Sequence, residues 1–252
     1  MSLSVLDISH RYPTSSADLP PVLHNVSFNL AASEQLLLRG ISGSGKTTLF
    51  NILAGLLTPS SGTVTLADQS IYLLSEAKRD TFRRNQIGYV FQTHHLLPIL
   101  NAWENVAMPL AFNGLSTSVR KERAVALLAE IGLADFATHR PYQLSNGQRQ
   151  RVAIARALIN QPHMILADEP TASLDAESGE SVIDLLQQSC QNNQTILLVA
   201  SHDPLLSQRF ARVVDLQYGH WIESNKVESN RVESNKVESN KVESTAQGVA
   251  HA

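Results

Sequence analysis

Leu36-Leu37-Leu38-Arg39-Gly40-Ile41-Ser42-Gly43-Ser44-Gly45-Lys46-Thr47 is the stretch from which the fold can be read. It opens on an apolar run of strand length and passes into a glycine-spaced loop that ends in Lys-Thr. Gly40, Gly43 and Gly45 permit tight turns in which successive backbone N–H groups converge on an anion. The helix predicted from near Lys46, through Thr48-Leu49-Phe50-Asn51-Ile52-Leu53, adds the positive end of its dipole at the same point. In such a loop the lysine reaches the β- and γ-phosphates of a nucleotide, and the Thr47 hydroxyl is a ligand for Mg²⁺. Ser42, Ser44 and Thr48 complete the candidate phosphate-binding set.

Two further apolar runs are each followed at once by reactive side chains. Met164-Ile165-Leu166-Ala167 precedes Asp168-Glu169, and Ile196 to Ala200 precedes Ser201-His202-Asp203. Short apolar runs bounded by polar turns read as strands buried on both faces, hence a parallel sheet flanked by helices. Ligands of such sheets gather at the carboxyl ends of the strands, where all three runs place their reactive groups. Asp168 is then placed to hold Mg²⁺ through water. Glu169, one residue on, is placed to polarise an attacking water as general base.

The rest of the chain surrounds this core. Leu3 to Tyr12 and Val22 to Leu30 alternate partially and are joined by the loop Pro13 to Pro21, which predicts an antiparallel β pair beside the core. Trp103 to Phe112 and Val119 to Ile131 read as two helices broken at Asn113-Gly114. The expected fold class is α/β: a P-loop NTPase core with a parallel sheet flanked by helices, an N-terminal antiparallel β subdomain and an inserted helical subdomain at about residues 93–143. This domain is expected over residues 1–224. From Ile222 onward a five-residue unit recurs, of the form Val-Glu-Ser-Asn-Lys. A period of five lines up neither a helix face nor a strand face, so residues 225–252 read as a solvated, disordered low-complexity tail. Truncation after Ser224 is expected to leave catalysis intact.

Composition excludes several classes. A chain of 252 residues, 43% of them hydrophobic, buries a sizeable core as one domain with an insert. A net charge of −3 offers no bulk attraction to nucleic acid, so no nucleic-acid partner is expected. Cys190 is the only cysteine, which excludes an internal disulfide and fits a reducing compartment. Met1 to His10 has neither a basic n-region nor an apolar h-region. No run approaches the roughly 18 apolar residues of a membrane-spanning helix. A soluble cytosolic chain is expected.

Leu144-Ser145-Asn146-Gly147-Gln148 carries the remaining signal. Ser145 is a natural N-cap for a helix running through Arg149 to Leu158. A helix start with a serine hydroxyl and a glycine is a second anion site. It cannot easily serve the same γ-phosphate as the first loop within one chain. Taken alone, the pentad is better read as the start of an ordinary capped helix.

Leu144 to Leu158 resembles the signature and signature helix of ATP-binding-cassette (ABC) ATPases. Asp168-Glu169-Pro170-Thr171-Ala172-Ser173-Leu174-Asp175 is similar to that family's Walker B and D-loop. The resemblance runs from about Leu3 to Glu223. It implies an ATPase whose cofactors are ATP and Mg²⁺, and in which two copies sandwich two nucleotides. Carried over residue by residue, it implies that Tyr12 stacks on adenine and that Gln92 senses Mg²⁺ and the attacking water. It implies that Ser145 and Gly147, with Gln148 in the same nucleotide-binding set, meet the γ-phosphate across the dimer. Asp175 lines that interface and His202 contacts the γ-phosphate. The family usually has a second glycine where this chain has Asn146. Asparagine tolerates positive φ, so the backbone shape is expected to survive.

The resemblance also implies partners: a second copy or a homologous ATPase subunit, and an integral-membrane permease in a separate chain. The permease would be received near Phe91 to Pro98 and Ile99 to Phe112, which places the protein peripherally on the cytoplasmic face of the cell membrane. Trp103 to Leu110 and the Ala-Ser of the D-loop look most like the macrolide-export and lipoprotein-release branch. Two other classes stay open. One is a soluble ABC ATPase without a permease, such as an iron–sulfur assembly or remodelling factor, which co-purification with membranes would separate. The other is a small-molecule kinase, which ATP-dependent dimerisation would separate.

Overall fold

The computed structural model describes residues 1–13 and 20–223; the expected low-complexity tail at 225–252 lies outside the described residues. The chain opens with β1 (Ser2–His10) and β2 (Leu23–Ala31), paired antiparallel with Leu3 opposite Leu30 and Val5 opposite Phe28. Leu3, Val5 and Ile8 are all buried although Val5 and Ile8 are three apart. A register shift between them, with Asp7 at φ +52°, restores the inward face. β3 (Gln35–Arg39) leads into the phosphate loop and α1 (Lys46–Leu53). β4 (Ser61–Leu66) and β5 (Gln69–Ser70) then return to the first sheet, whose order is β2-β1-β4-β5. The expected antiparallel pair is therefore a four-stranded sheet.

The remaining elements are α2 (Glu76–Gln86), β6 (Ile87–Val90), α3 (Ala102–Ala111), α4 (Thr117–Glu130), α5 (Asn146–Leu158), β7 (Met164–Asp168), α6 (Ala176–Asn192), β8 (Ile196–Ser201), β9 (Arg212–Gln217) and β10 (His220–Glu223). The second sheet has the order β10-β9-β3-β8-β7-β6. Its pairs β9–β3, β3–β8, β8–β7 and β7–β6 are all parallel. Every residue of β7 and β8 is buried, as the unbroken apolar runs require of strands covered on both faces.

Alternation along the strands divides the core in two. Leu36, Leu38, Leu166 and Leu198 pack with Leu49, Phe50 and Leu53 of α1 and with the inner face of the antiparallel sheet. Leu37, Ile165, Leu197 and Val199 pack on the other side with Val182, Ile183 and Leu186 of α6 and Ile154 of α5. A third cluster joins Val106 and Leu110 of α3, Ala124 and Leu128 of α4, and Val152 and Ala155 of α5. The α5 helix thus buries one face on the sheet and another on the two inserted helices. No helix among the described residues is long and apolar enough to cross a membrane.

Candidate nucleotide site

Parallel register gathers the reactive residues at one edge. Arg39, at the end of β3, lies opposite Ser201 of β8, Asp168 of β7 lies opposite Ala200 of β8, and Val90 of β6 lies opposite Ala167. A cleft of about 570 Å³ opens there, lined by Val22, the loop from Ile41 to Thr48, Gln92, Asp168, Glu169 and His202.

The loop is shaped by two glycines. Gly45 is the N-cap of α1 at φ +106°, a left-handed conformation that other residues rarely adopt. A Cβ on Gly40 would lie 2.5 Å from Ser44 Oγ and 2.6 Å from the Leu216 carbonyl. The start of α1 has no side-chain cap and no acidic residue in its first turn. Its first N–H groups and the positive end of its dipole are thereby left for a ligand. Ser44 Oγ is buried and finds no hydrogen-bond partner among the described residues, as suits a hydroxyl awaiting a phosphate oxygen.

Lys46 is 7% exposed. Its Nζ donates to the carbonyls of Gly40 (2.6 Å) and Ile41 (3.2 Å) and lies 3.6 Å from Glu169 Oε1. Thr47 Oγ1 donates to Asp168 Oδ2 at 2.8 Å. Burial pushes the Asp168 carboxyl above the usual range, with the Glu169 charge acting the same way, while the Thr47 hydrogen bond and the Lys46 charge oppose the shift. A hydroxyl and a carboxylate side by side are hard oxygen donors of the kind Mg²⁺ takes. No group of three His, Cys, Asp or Glu residues with metal-site geometry occurs among the described residues. Mg²⁺ ordinarily binds through one or two carboxylates and completes its shell with phosphates and water.

Glu169 follows directly, 9% exposed, with its backbone at φ +48° and its N–H donated to the Ala200 carbonyl. Its Oε2 lies 2.9 Å from His202 Nδ1 and accepts from Ser201 Oγ at 3.4 Å. The sequence marks Ser201 only as one of the reactive residues after the third apolar run and assigns it no role in the site. Its signal was its place between a buried strand and His202, where its hydroxyl also accepts the Asp203 N–H. Tyr12, 38% exposed, is not in the cleft wall, but its hydroxyl lies 3.2 Å from Thr48 Oγ1 and its ring meets His10 edge-on at 4.8 Å.

Ser145, Gly147, Gln148 and Asp175 are not in the cleft wall either. Ser145 caps α5 reciprocally with Gln148: Gln148 N donates to Ser145 Oγ (3.2 Å) and Ser145 N to Gln148 Oε1 (2.8 Å). Asp175 caps α6 through the Ser178 N–H at 2.9 Å. The backbone and side-chain hydrogen bonds of Ser178 hold its carboxyl below the usual range. A Cβ on Gly147 would lie 3.4 Å from Ser178 Oγ, so the two capped helix starts stand side by side. Asn146 does not use the left-handed backbone its residue type allows. It is the first residue of α5, with its Oδ1 accepting from Arg149 and its Nδ2 donating to the Ser173 carbonyl at 3.4 Å.

A phosphate loop, an Asp-Glu pair and a histidine on one cleft at the carboxyl edge of a parallel sheet define a nucleoside-triphosphate-hydrolysing P-loop protein. The profile of the family described as ABC transporter matches residues 23–172. The lipoprotein-releasing system ATP-binding protein LolD of Shewanella denitrificans is 46% identical over 198 residues, which span 79% of this chain and 85% of that relative. The chain belongs to the ABC transporter family, as an ATP-binding and ATP-hydrolysing cassette. Two solved structures of the cassette MJ0796 match it at 36% identity with a TM-score of 0.79, covering 88% of this chain and 98% of each of those. One is a dimer in a post-hydrolysis state bound to ADP and Pi, and the other a dimeric bacterial ABC transporter cassette.

Proposed function

We propose that this cassette, residues 1–224 with a helical subdomain at about 93–143, is the motor of a transporter whose permease is a separate chain. It dimerises around two ATP–Mg²⁺ and drives export or the release of lipoproteins, lipids or peptides. The 46% identity to LolD supports the lipoprotein branch. The observation that carries the dimer is the separation of the two anion sites. The Ser145-capped start of α5 stands outside the cleft that Lys46, Asp168 and Glu169 line.

In this reading Lys46 and the loop N–H groups bind the β- and γ-phosphates. Thr47 would hold Mg²⁺ together with Asp168, the aspartate through water, and Gln92 would sense the ion. The ion supplies neutralisation of charge on the phosphates. Glu169 takes a proton from the attacking water, and His202 and Ser201, bonded to its Oε2, keep the carboxylate aimed. Ser145 and Gly147 of a second copy close over the γ-phosphate, Asp175 lines the interface, and Tyr12 supports the adenine. Phe91, Met108, Pro109 and the exposed Phe112 line a 510 Å³ cleft between α2, β6 and α3, which suits a permease segment at the cytoplasmic face of the membrane.

The test is turnover per chain against chain concentration. It should rise with concentration, and Ser145→Ala should suppress it while leaving ATP binding in place. A monomeric preparation hydrolysing ATP at an undiminished, concentration-independent rate would overturn the shared site.

A further inference from the structure

The α5 helix presents Ser145 at its start and Arg156 three turns further on, about 16 Å along the axis at 1.5 Å per residue. Arg156 is half-buried, and its two Nη atoms donate to the carbonyls of His95 and His94, each at 2.7 Å. No carboxylate lies within ion-pair distance of it among the described residues. Burying a guanidinium without a counter-ion is costly, so its two carbonyl partners are what hold it in place. A planar fork suits two neighbouring carbonyls, and a flexible lysine ammonium does not reproduce it.

Those carbonyls belong to the loop that begins at Gln92. The far end of the same loop is pinned by the fully buried Asn105 of α3. Its carboxamide accepts the Leu97 N–H (2.8 Å) and donates to the carbonyls of Leu97, Leu100 and Asn101. Thr93 Oγ1 lies 2.8 Å from His95 Nε2, the His95 ring meets Phe91 edge-on at 5.0 Å, and Leu96 packs against the third core cluster.

Resting on the function proposed above, we infer that Arg156 is a positioning residue: its fork fastens the Gln92 loop to the signature helix, so that helix and loop move as one body. The start of α5 meets the nucleotide of the partner copy, whereas Gln92 faces the nucleotide of its own chain. Engagement at one site is thereby delivered mechanically to the other.

The experiment is a double-mutant cycle on the full chain, with phosphate release from Mg-ATP and amide hydrogen exchange as readouts. Arg156→Lys should lower kcat by about 10- to 100-fold, the scale of a small misplacement of a catalytic group. KM for ATP and Tm should stay at parent values, and the amides of residues 93–97 should exchange faster. In a Gln92→Ala background, Arg156→Lys should add less than about twofold, because it acts through Gln92. Losses that multiply in the double variant would overturn the inference, as would unchanged exchange at 93–97. Parent-rate turnover in Gln92→Ala alone would instead strike at the role of Gln92, and the exchange measurement would still decide whether Arg156 holds the loop.

Discussion

Replacing Glu169 by glutamine isolates the acid–base role proposed for it from its structural one. The carboxamide is isosteric, and its remaining oxygen still accepts from His202 Nδ1 and Ser201 Oγ, now at 2.9 and 3.4 Å from Oε2. Lys46 loses an ion pair at 3.6 Å but keeps the carbonyls of Gly40 and Ile41. Little of the effect therefore falls on the fold. What disappears is the capacity to take a proton from water, a contribution of about 10²- to 10⁴-fold. At 1.36 kcal/mol per decade this is roughly 2.7–5.4 kcal/mol of barrier. The loss should appear in kcat alone. Apparent ATP affinity should be equal or tighter, because a negative charge has left the wall of an anion site. With turnover stalled, the ATP-bound dimer should accumulate, so size-exclusion with Mg-ATP should show doubled mass alongside a collapse of phosphate release. A variant hydrolysing ATP within about threefold of the parent would remove Glu169 from the base role, since a positioned general base typically contributes about 10²-fold or more.

Asn146→Gly should leave hydrolysis similar or faster, with a stability loss of about 1 kcal/mol or less from glycine in the first turn of α5; a severe loss of turnover would assign Asn146 a positive role at the interface. Gly88→Ala should destabilise by about 1–3 kcal/mol or more in urea titration, because its Cβ would lie 2.3 Å from Ile165 Cδ1 and 2.4 Å from the Ala157 carbonyl; an unchanged midpoint would mean that β6 and α5 are not in this contact. Stability should also fall as pH drops from 7.5 to 5.5. Burial holds His10 and His163 below the ordinary histidine value of 6.5, so the unfolded chain binds more protons in the window just below it. Urea midpoints at the two pH values measure this, and His163→Gln should reduce the difference; a flat profile would refute the assignment.

The three buried strands that carry the chemistry were legible because an unbroken apolar run fits a strand covered on both faces, and β3, β7 and β8 are such strands. The insertion of β8 between β3 and β7 was not legible, since strand order is set by long-range packing that no local pattern encodes. Neither were β4 and β5. Only Val64 and Leu66 face inward there, too few to register as alternation, and β4 is completed by pairing with β1. Within the site, Lys46, Thr47, Asp168 and Glu169 could be placed from loop and strand-end chemistry. Tyr12, Gln92 and Asp175 rested on the family resemblance, because an edge aromatic, a loop glutamine and a helix-capping aspartate have ordinary structural uses.

The two-sided burial of α5 makes the shared site a mechanical expectation as well as a resemblance. Ile154 is committed to the sheet, Val152 and Ala155 are committed to the inserted helices, and Arg149 ties the helix start to the Pro141 and Leu144 carbonyls. Turning Ser145 toward the Lys46 of its own chain would empty both apolar interfaces. Uncovering even two or three such side chains costs several kcal/mol at about 1.5–3 kcal/mol each, a large part of the 5–15 kcal/mol that holds a domain folded. Bringing up a second copy leaves both interfaces buried. The proposed dimer is therefore the route to a closed site that leaves α5 buried on both of its faces.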